Sequence, residues 1–199
     1  MSLAAALHIR NATLVDIPAI TFILNYYITH TVSTFRLDPL PILASASPLI
    51  DIYTTTTQTH HLPFLVCVAD EGVVVGYAYL TRHLWPTHAC YRHTADLSIY
   101  VHHEHRGRGI GTKLMDALMD ASRSRSGSLA QTRIQEVLSV MSLDVEGPGG
   151  GYALRDWYTR WGFVQVGHMK RVGYKFGRWI DVLILQASIK GDDESEKSG

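Results

Sequence analysis

Only two cysteines, Cys67 and Cys90, occur in the 199 residues. Two thiols make no disulfide framework. Both stand in apolar local sequence, so they are expected to be inert reduced thiols, not nucleophiles. An excess of charge is missing too: 18 Lys and Arg balance 18 Asp and Glu. A neutral chain offers no general attraction for nucleic acid or an anionic membrane. No apolar run approaches membrane-spanning length. The Leu3–Leu7 stretch is too short for a signal peptide and lacks a basic flank, so a cytoplasmic protein is expected. His102, His103 and His105 cluster without the carboxylate or cysteine set that would complete a metal site, so no metal is expected. No internal repeat is visible.

What is present describes an ordinary globular chain, 46% apolar and 18% charged, long enough for one domain with a substantial core. That domain is expected over residues 8–190, with a polar, disordered tail over 191–199. Ile9 opens a short strand. Asp16 caps a helix with Pro18 in its first turn and an apolar stripe of Ile20, Ile23, Leu24 and Ile28. Thr29–Ser47 is irregular, broken by Pro39 and Pro41, and a second helix spans Pro48 to about Thr57. Phe64–Ala69 and Val73–Leu80 are strands joined by a turn at Asp70-Glu71-Gly72. Ala95–Val101 alternates clearly, with Ala95, Leu97, Ile99 and Val101 on one face and Asp96, Ser98 and Tyr100 on the other. A helix from Gly109 to about Ser122, a polar loop to Gln131 and a strand over Val137–Leu143 follow. Beyond the glycine turn at 147–151, Tyr152–Trp161 is a helix, and Phe163–Gly167 and Trp179–Gln186 are strands. The order βα(α)βββαβαββ implies an α/β class, a mixed sheet with helices on its faces.

The richest segment is Arg106-Gly107-Arg108-Gly109-Ile110-Gly111. It joins the clearest strand to a helix, and helix-start N–H groups have no partner within the helix. Glycines let a pyrophosphate approach the backbone, and the two arginines add fixed positive charge. A phosphorylated cofactor is therefore expected. A dinucleotide fingerprint does not fit, because Thr112 stands where its third glycine belongs; a P-loop lacks its G-K-[ST].

The pattern R-x-x-G-x-G, read at Arg106, Gly109 and Gly111, resembles the acetyl-CoA pyrophosphate loop of the GNAT N-acetyltransferases. The resemblance covers roughly Ile9–Gln186 and is nearest to the phosphinothricin / methionine sulfoximine acetyltransferase branch. It also rests on Ile9–Ala12 with Asp16 and Asn25, on Tyr91–Thr94 leading into Asp96 and Ser98–Val101, and above all on Val172–Val182. It implies the GNAT fold, with splayed central strands flanked by helices. It further implies acetyl-CoA as co-substrate, a small-molecule amine as acceptor, and a homodimer.

The resemblance assigns the cofactor to Ile99, Tyr100, Val101, Arg106, Gly107, Arg108, Gly109, Ile110, Gly111 and Thr112. Asp96 stands where the branch carries a glutamate base, one methylene shorter. It is either that base, directly or through water, or a structural carboxylate. Tyr158, in a Tyr-x-x-x-Gly-Phe setting, resembles the superfamily's general-acid tyrosine; packing among Trp157 and Trp161 is the alternative. Gly151 replaces an asparagine that often contacts the cofactor. Phe35, Arg36, Arg82, Tyr91 and Thr94 are the candidate substrate-binding residues, an arginine being suited to a carboxylate. The implied activity is acetylation of the α-amine of a small amino acid or analogue. Acetylation of an aminoglycoside, polyamine or protein, and a non-catalytic CoA-binding sensor, stay open.

Overall fold

The computed structural model describes residues 6–43, 47–82, 88–123 and 134–189. The tail expected over 191–199 and most of the loop expected over 122–131 lie outside these residues. Seven strands form one mixed sheet in the order β1-β2-β3-β4-β5-β7-β6. They are β1 (His8–Asn11), β2 (Phe64–Val68), β3 (Val74–Thr81), β4 (Thr94–Val101), β5 (Glu136–Leu143), β6 (Val164–Lys175) and β7 (Arg178–Ser188). The helices are α1 (Ile17–His30), α2 (Leu49–Thr54), α3 (Ile110–Arg123) and α4 (Ala153–Tyr158). The element order is the expected one.

The sheet is covered on both faces. Ile110, Leu114, Met115 and Leu118 of α3 pack with Leu65, Ala78, Leu80, Ala95 and Leu97. On the opposite face Ile17, Ile20, Ile23, Leu24 and Ile28 of α1 pack with Phe64, Val66 and Tyr77. All five residues of β2 are consequently buried. Gly76 permits close approach of α3: a Cβ there would lie 3.0 Å from both Ile110 Cγ2 and Leu114 Cδ1. Among the described residues, no helix is long and apolar enough to cross a membrane.

Several local expectations are corrected. Asp16 stands at the start of α1, but its side chain makes no capping bond to that helix. The carboxylate instead takes both Arg10 Nη atoms at 2.7 Å and the Thr13 N–H at 2.7 Å. The Arg10 bonds hold its pKa below the ordinary carboxylate value despite burial. The second helix leaves α geometry early: α2 ends at Thr54, and Thr55–Thr59 forms a π turn. The four consecutive threonines there are β-branched, poor helix formers. Gly162 ends the helical segment Thr159–Trp161 in the left-handed conformation, φ +79°. Cys67 is buried and burial raises its thiol pKa, as an inert thiol requires, whereas Cys90 is exposed on a single 3-10 turn.

β6 is much longer than Phe163–Gly167. It pairs with β7 as far as Lys175↔Arg178, across irregularities between Gln165 and Gly167 and between Met169 and Gly173. The second bulge is tied down by Asp181, which accepts from Arg171 N–H at 2.8 Å and pairs with His168 Nε2 at 2.7 Å. Bulges interrupt the period of two, so this half of the strand carries no alternating signature. Phe176 (φ +51°) and Gly177 (φ +76°) form the two-residue turn into β7, the pair of positive φ angles a tight hairpin demands.

Candidate active site

β4 and β5 run parallel but pair over only three positions: Thr94↔Glu136, Ala95↔Val137 and Asp96↔Leu138. Beyond Asp96 they part. The expected splay is therefore present, and it opens beside the glycine loop. From Asp96 to Val101 β4 stays paired to β3, so along the splay only its other edge is freed. The direction of each backbone group follows from two anchors. His102 N–H donates to Val75 C=O of β3, and the Gln135 and Glu136 N–H groups donate to His93 C=O. Alternation from these points turns the backbone groups of Ser98 and Tyr100 to β3, and those of Leu97, Ile99 and Val101 to the open edge. Of the three β4 residues that the resemblance assigns to the cofactor, Ile99 and Val101 turn their backbone groups to the open edge; the Tyr100 amide is engaged with β3. The Val101 carbonyl already accepts the Tyr27 hydroxyl at 2.6 Å.

The opening is a cavity of about 670 Å³. One wall is Leu97–Val101 of β4, and the other is Ser139–Ser142 of β5. One end is closed by the loop and helix start, His105, Arg106, Gly107, Gly109, Ile110, Gly111 and Thr112. Nine of the ten residues expected at the cofactor thus line it. Arg108 is the exception; its Nη1 lies 3.5 Å from His105 Nδ1. Gly107 and Gly109 both have φ +76° with open space where a Cβ would stand. Each can therefore present its N–H unobstructed to an anion. Arg106 is braced by the His103 carbonyl at 3.1 Å and lies 5.9 Å from the Tyr26 ring centroid. The Thr112 hydroxyl accepts weakly from Arg160 Nη2 at 3.4 Å, which leaves its own hydrogen for a ligand.

Tyr158 borders the cavity opposite β4 and is only 4% exposed. Its hydroxyl bonds Ser139, and burial pushes its pKa up to about 12. The ring also meets Trp157 and Phe163 edge-on. The phenol is held protonated and aimed where β5 parts from β4. Packing and acid chemistry are both available to it.

Asp96 is the last β4 residue paired to β5, opposite Thr81 on β3. It shares a face with Thr94, Ser98 and Tyr100; the neighbouring Tyr79, which also bonds Ser98, has its pKa raised chiefly by burial and secondarily by the Asp96 charge. Arg36 acts electrostatically on the same phenol and on Tyr77. Phe35 and Arg36 are therefore brought to the Asp96 face. Phe35 packs against Gly173 of β6. Arg82 follows the last residue of β3 and faces His60, whose pKa is lowered by burial and then by the Arg82 charge. Tyr91 lies half-exposed on the turn before β4. None of Asp96, Phe35, Arg36, Arg82, Tyr91 and Thr94 borders the cavity itself.

Three contributors were not legible as such. Tyr27 sits within the apolar stripe of α1, where a polar-tipped aromatic was the available signal. Trp157 covers the first turn of α3, 3.5 Å from where a Gly111 Cβ would stand. The turn at 144–151 forms the far rim through Asp144, Gly147, Pro148 and Gly151. Gly151 has φ +89°, and a Cβ there would fall 2.5 Å from the Asp144 carbonyl. No asparagine fits, which explains the departure at this position. The three histidines line up instead of converging. His103 stacks on Tyr26 with centroids 3.9 Å apart, and on His102 at 4.6 Å.

Comparison with known proteins agrees with this geometry. A family model described as acetyltransferase (GNAT) family matches residues 30–136. A methionine sulfoximine/methionine sulfone acetyltransferase of Pseudomonas aeruginosa is 31% identical, over 91% of this chain and 94% of its own. A phosphinothricin N-acetyltransferase of Alcaligenes faecalis is 32% identical, over 89% of this chain and 80% of its own. The crystal structure of a GNAT phosphinothricin acetyltransferase from Sinorhizobium meliloti, in complex with acetyl-CoA, superposes with a TM-score of 0.74 at 26% identity. That match covers 98% of this chain and 93% of the other. With parted central strands, a glycine loop at the helix start and relatives spanning the full domain, this chain belongs to the GNAT acetyltransferase family and is an N-acetyltransferase.

Proposed function

We propose that the enzyme transfers the acetyl group of acetyl-CoA to the α-amine of a small amino acid or analogue of the phosphinothricin, methionine sulfoximine or methionine sulfone type. The observation that carries this is the cavity between β4 and β5. It runs from an anion-binding helix start to a protonated, buried phenol. The N–H groups of Gly107, Gly109 and the first turn of α3, with Arg106, hold the pyrophosphate. The free edge of Ile99 and Val101 pairs with the pantetheine arm. The α-ammonium first gives a proton to Asp96, directly or through one water. The neutral nitrogen then attacks the thioester carbon and sheds its second proton to solvent as the tetrahedral intermediate forms, while open-edge backbone N–H groups support the developing oxyanion. As the carbon–sulfur bond breaks, the Tyr158 phenol protonates the departing thiolate and is recharged from solvent. Arg36, at the Asp96 face, is suited to the acceptor's carboxylate, and Phe35 forms a wall beside it.

The relatives' names favour this acceptor class, and the neutral chain favours it over a polycation. The edge strand β6 exposes Val164, Val166, Met169, Val172 and Tyr174. An apolar unpaired edge of this length fits a second copy of the chain, in a homodimer. The acceptor assignment is tested by kcat/KM for thiol release across phosphinothricin, methionine sulfoximine, methionine sulfone, methionine and an aminoglycoside. The sulfone, sulfoximine and phosphinothricin are expected to lead. Equal or better turnover of the aminoglycoside overturns the assignment, and CoA binding without turnover of any of them points to a sensor or another amine.

A further inference from the structure

The tip of the β6–β7 hairpin holds two segments that border the cleft, one beside Ser33 and one at Asp144, and the chemistry above leaves its two cations unused. Lys175, the last residue of β6, is only 4% exposed. Its Nζ donates to the Thr34 carbonyl at 2.8 Å, and burial lowers its pKa. Thr34 in turn bonds the Tyr100 hydroxyl. Two residues back, Gly173 lies under Phe35 so closely that a Cβ would stand 2.5 Å from the ring. The segment Ser33–Arg36, irregular and with no strand or helix to hold it, is thus seated on the hairpin. Ser33 borders the cavity. Arg178, the first residue of β7, reaches the other way. Its Nη2 lies 2.9 Å from Asp144 Oδ1 and 3.3 Å from Glu146 Oε2. Asp144 begins the turn that carries Gly147, Pro148 and Gly151 along the cavity rim and leads into α4, which holds Tyr158.

We propose that this hairpin tip is a two-armed bracket setting the acetyl-transfer site: Lys175 positions the amine-side wall through Thr34, and Arg178 positions the cofactor-side wall through Asp144. Both are positioning residues, since neither borders the cavity itself. The two-residue Phe176-Gly177 turn makes the arms rigid to one another, because each flanks a tight turn with little slack. The inference rests on the acetyl-transfer reading for its kinetics but not for its binding arm.

The test is a split between two Michaelis constants. Lys175→Met keeps the buried stem and removes the donor; an apolar replacement of a buried charge is commonly tolerated. It is expected to raise KM for the amine about tenfold with KM for acetyl-CoA within about twofold of wild type. Gly173→Ala, which displaces Phe35 without altering charge, should reproduce that pattern if Lys175→Met folds poorly. Arg178→Gln should do the reverse, weakening CoA about tenfold by calorimetry while sparing the amine, and Arg178→Lys should recover part of the loss. Equal rises in both constants, or none in either, overturn the bracket. If wild type turns over no amine tested, the substrate assignment has failed. The bracket then stands or falls on CoA affinity, which Arg178→Gln must weaken and Lys175→Met must leave unchanged.

Discussion

Replacing Tyr158 by phenylalanine removes one hydroxyl from a site whose geometry assigns that hydroxyl two jobs. As a proton donor it is worth roughly 10²–10⁴ in the chemical step. As the partner of Ser139, itself buried, it is worth about 1–3 kcal/mol, the cost of leaving a buried hydroxyl unsatisfied. In a domain of this size that corresponds to a fall in Tm of roughly 2–12 °C. The double variant Ser139→Ala/Tyr158→Phe separates the two. With both polar partners gone the stability loss should largely disappear, because an apolar pair is nearly neutral. The missing proton donor should remain missing. Single-turnover rates at saturating acetyl-CoA and amine, with thermal melts alongside, give the comparison. The expected result is a double variant that melts near wild type and transfers acetyl at least about 10²-fold more slowly. A double variant within about threefold of the wild-type rate would refute the acid role and leave Tyr158 as packing.

Gly109→Val should fold with a penalty of about 1–2 kcal/mol for its left-handed backbone. It should bind CoA at least about tenfold more weakly by calorimetry, because its side chain occupies the approach to the helix start; unchanged affinity would remove the pyrophosphate from this loop. Asp96→Asn should cut turnover by roughly 10²–10⁴ with CoA binding intact, whereas Asp96→Glu should retain or improve activity; a near-wild-type Asp96→Asn enzyme moves the base elsewhere. Burial raises the pKa values of Tyr77, Tyr100 and Tyr158. The folded state therefore holds protons that the unfolded chain releases near pH 10. The contribution is fully present below about pH 10 and is lost as pH rises toward the folded values. Denaturant titrations should show stability falling above about pH 10, less steeply in Tyr158→Phe; a flat profile to pH 12 would contradict the burial of these phenols.

Element order was legible because each element carries a local period. The alternation of Ala95–Val101 and the 3.6 repeat through Ile110, Leu114 and Leu118 both survive folding unchanged. The glycine loop was legible because strand, glycines and helix start are contiguous in sequence. What failed depends on pairing across the chain. The second half of β6 is bulged and solvent-facing on an edge, so neither alternation nor burial marks it. Asp16 was placed correctly at a helix start, yet its carboxylate is claimed by Arg10, and no local rule anticipates that. Arg82 and Arg36 are equivalent as sequence; only the fold carries one to His60 and the other to the Asp96 face. Tyr27, Trp157 and the Asp144 turn come from three distant segments, and only closure of the sheet brings them to one cavity.

The central claim is acetyl transfer from CoA to an α-nitrogen within the β4–β5 cleft. Incubation of the enzyme with carbonyl-labelled acetyl-CoA and methionine sulfone, followed by NMR and mass spectrometry of the product, tests it most directly. The account predicts one labelled amide carbon on the α-nitrogen for each CoA thiol released, with the Gly109→Val enzyme forming almost none at the same acetyl-CoA concentration. Thiol release without a labelled amide, or a labelled amide formed equally well by Gly109→Val, would contradict it.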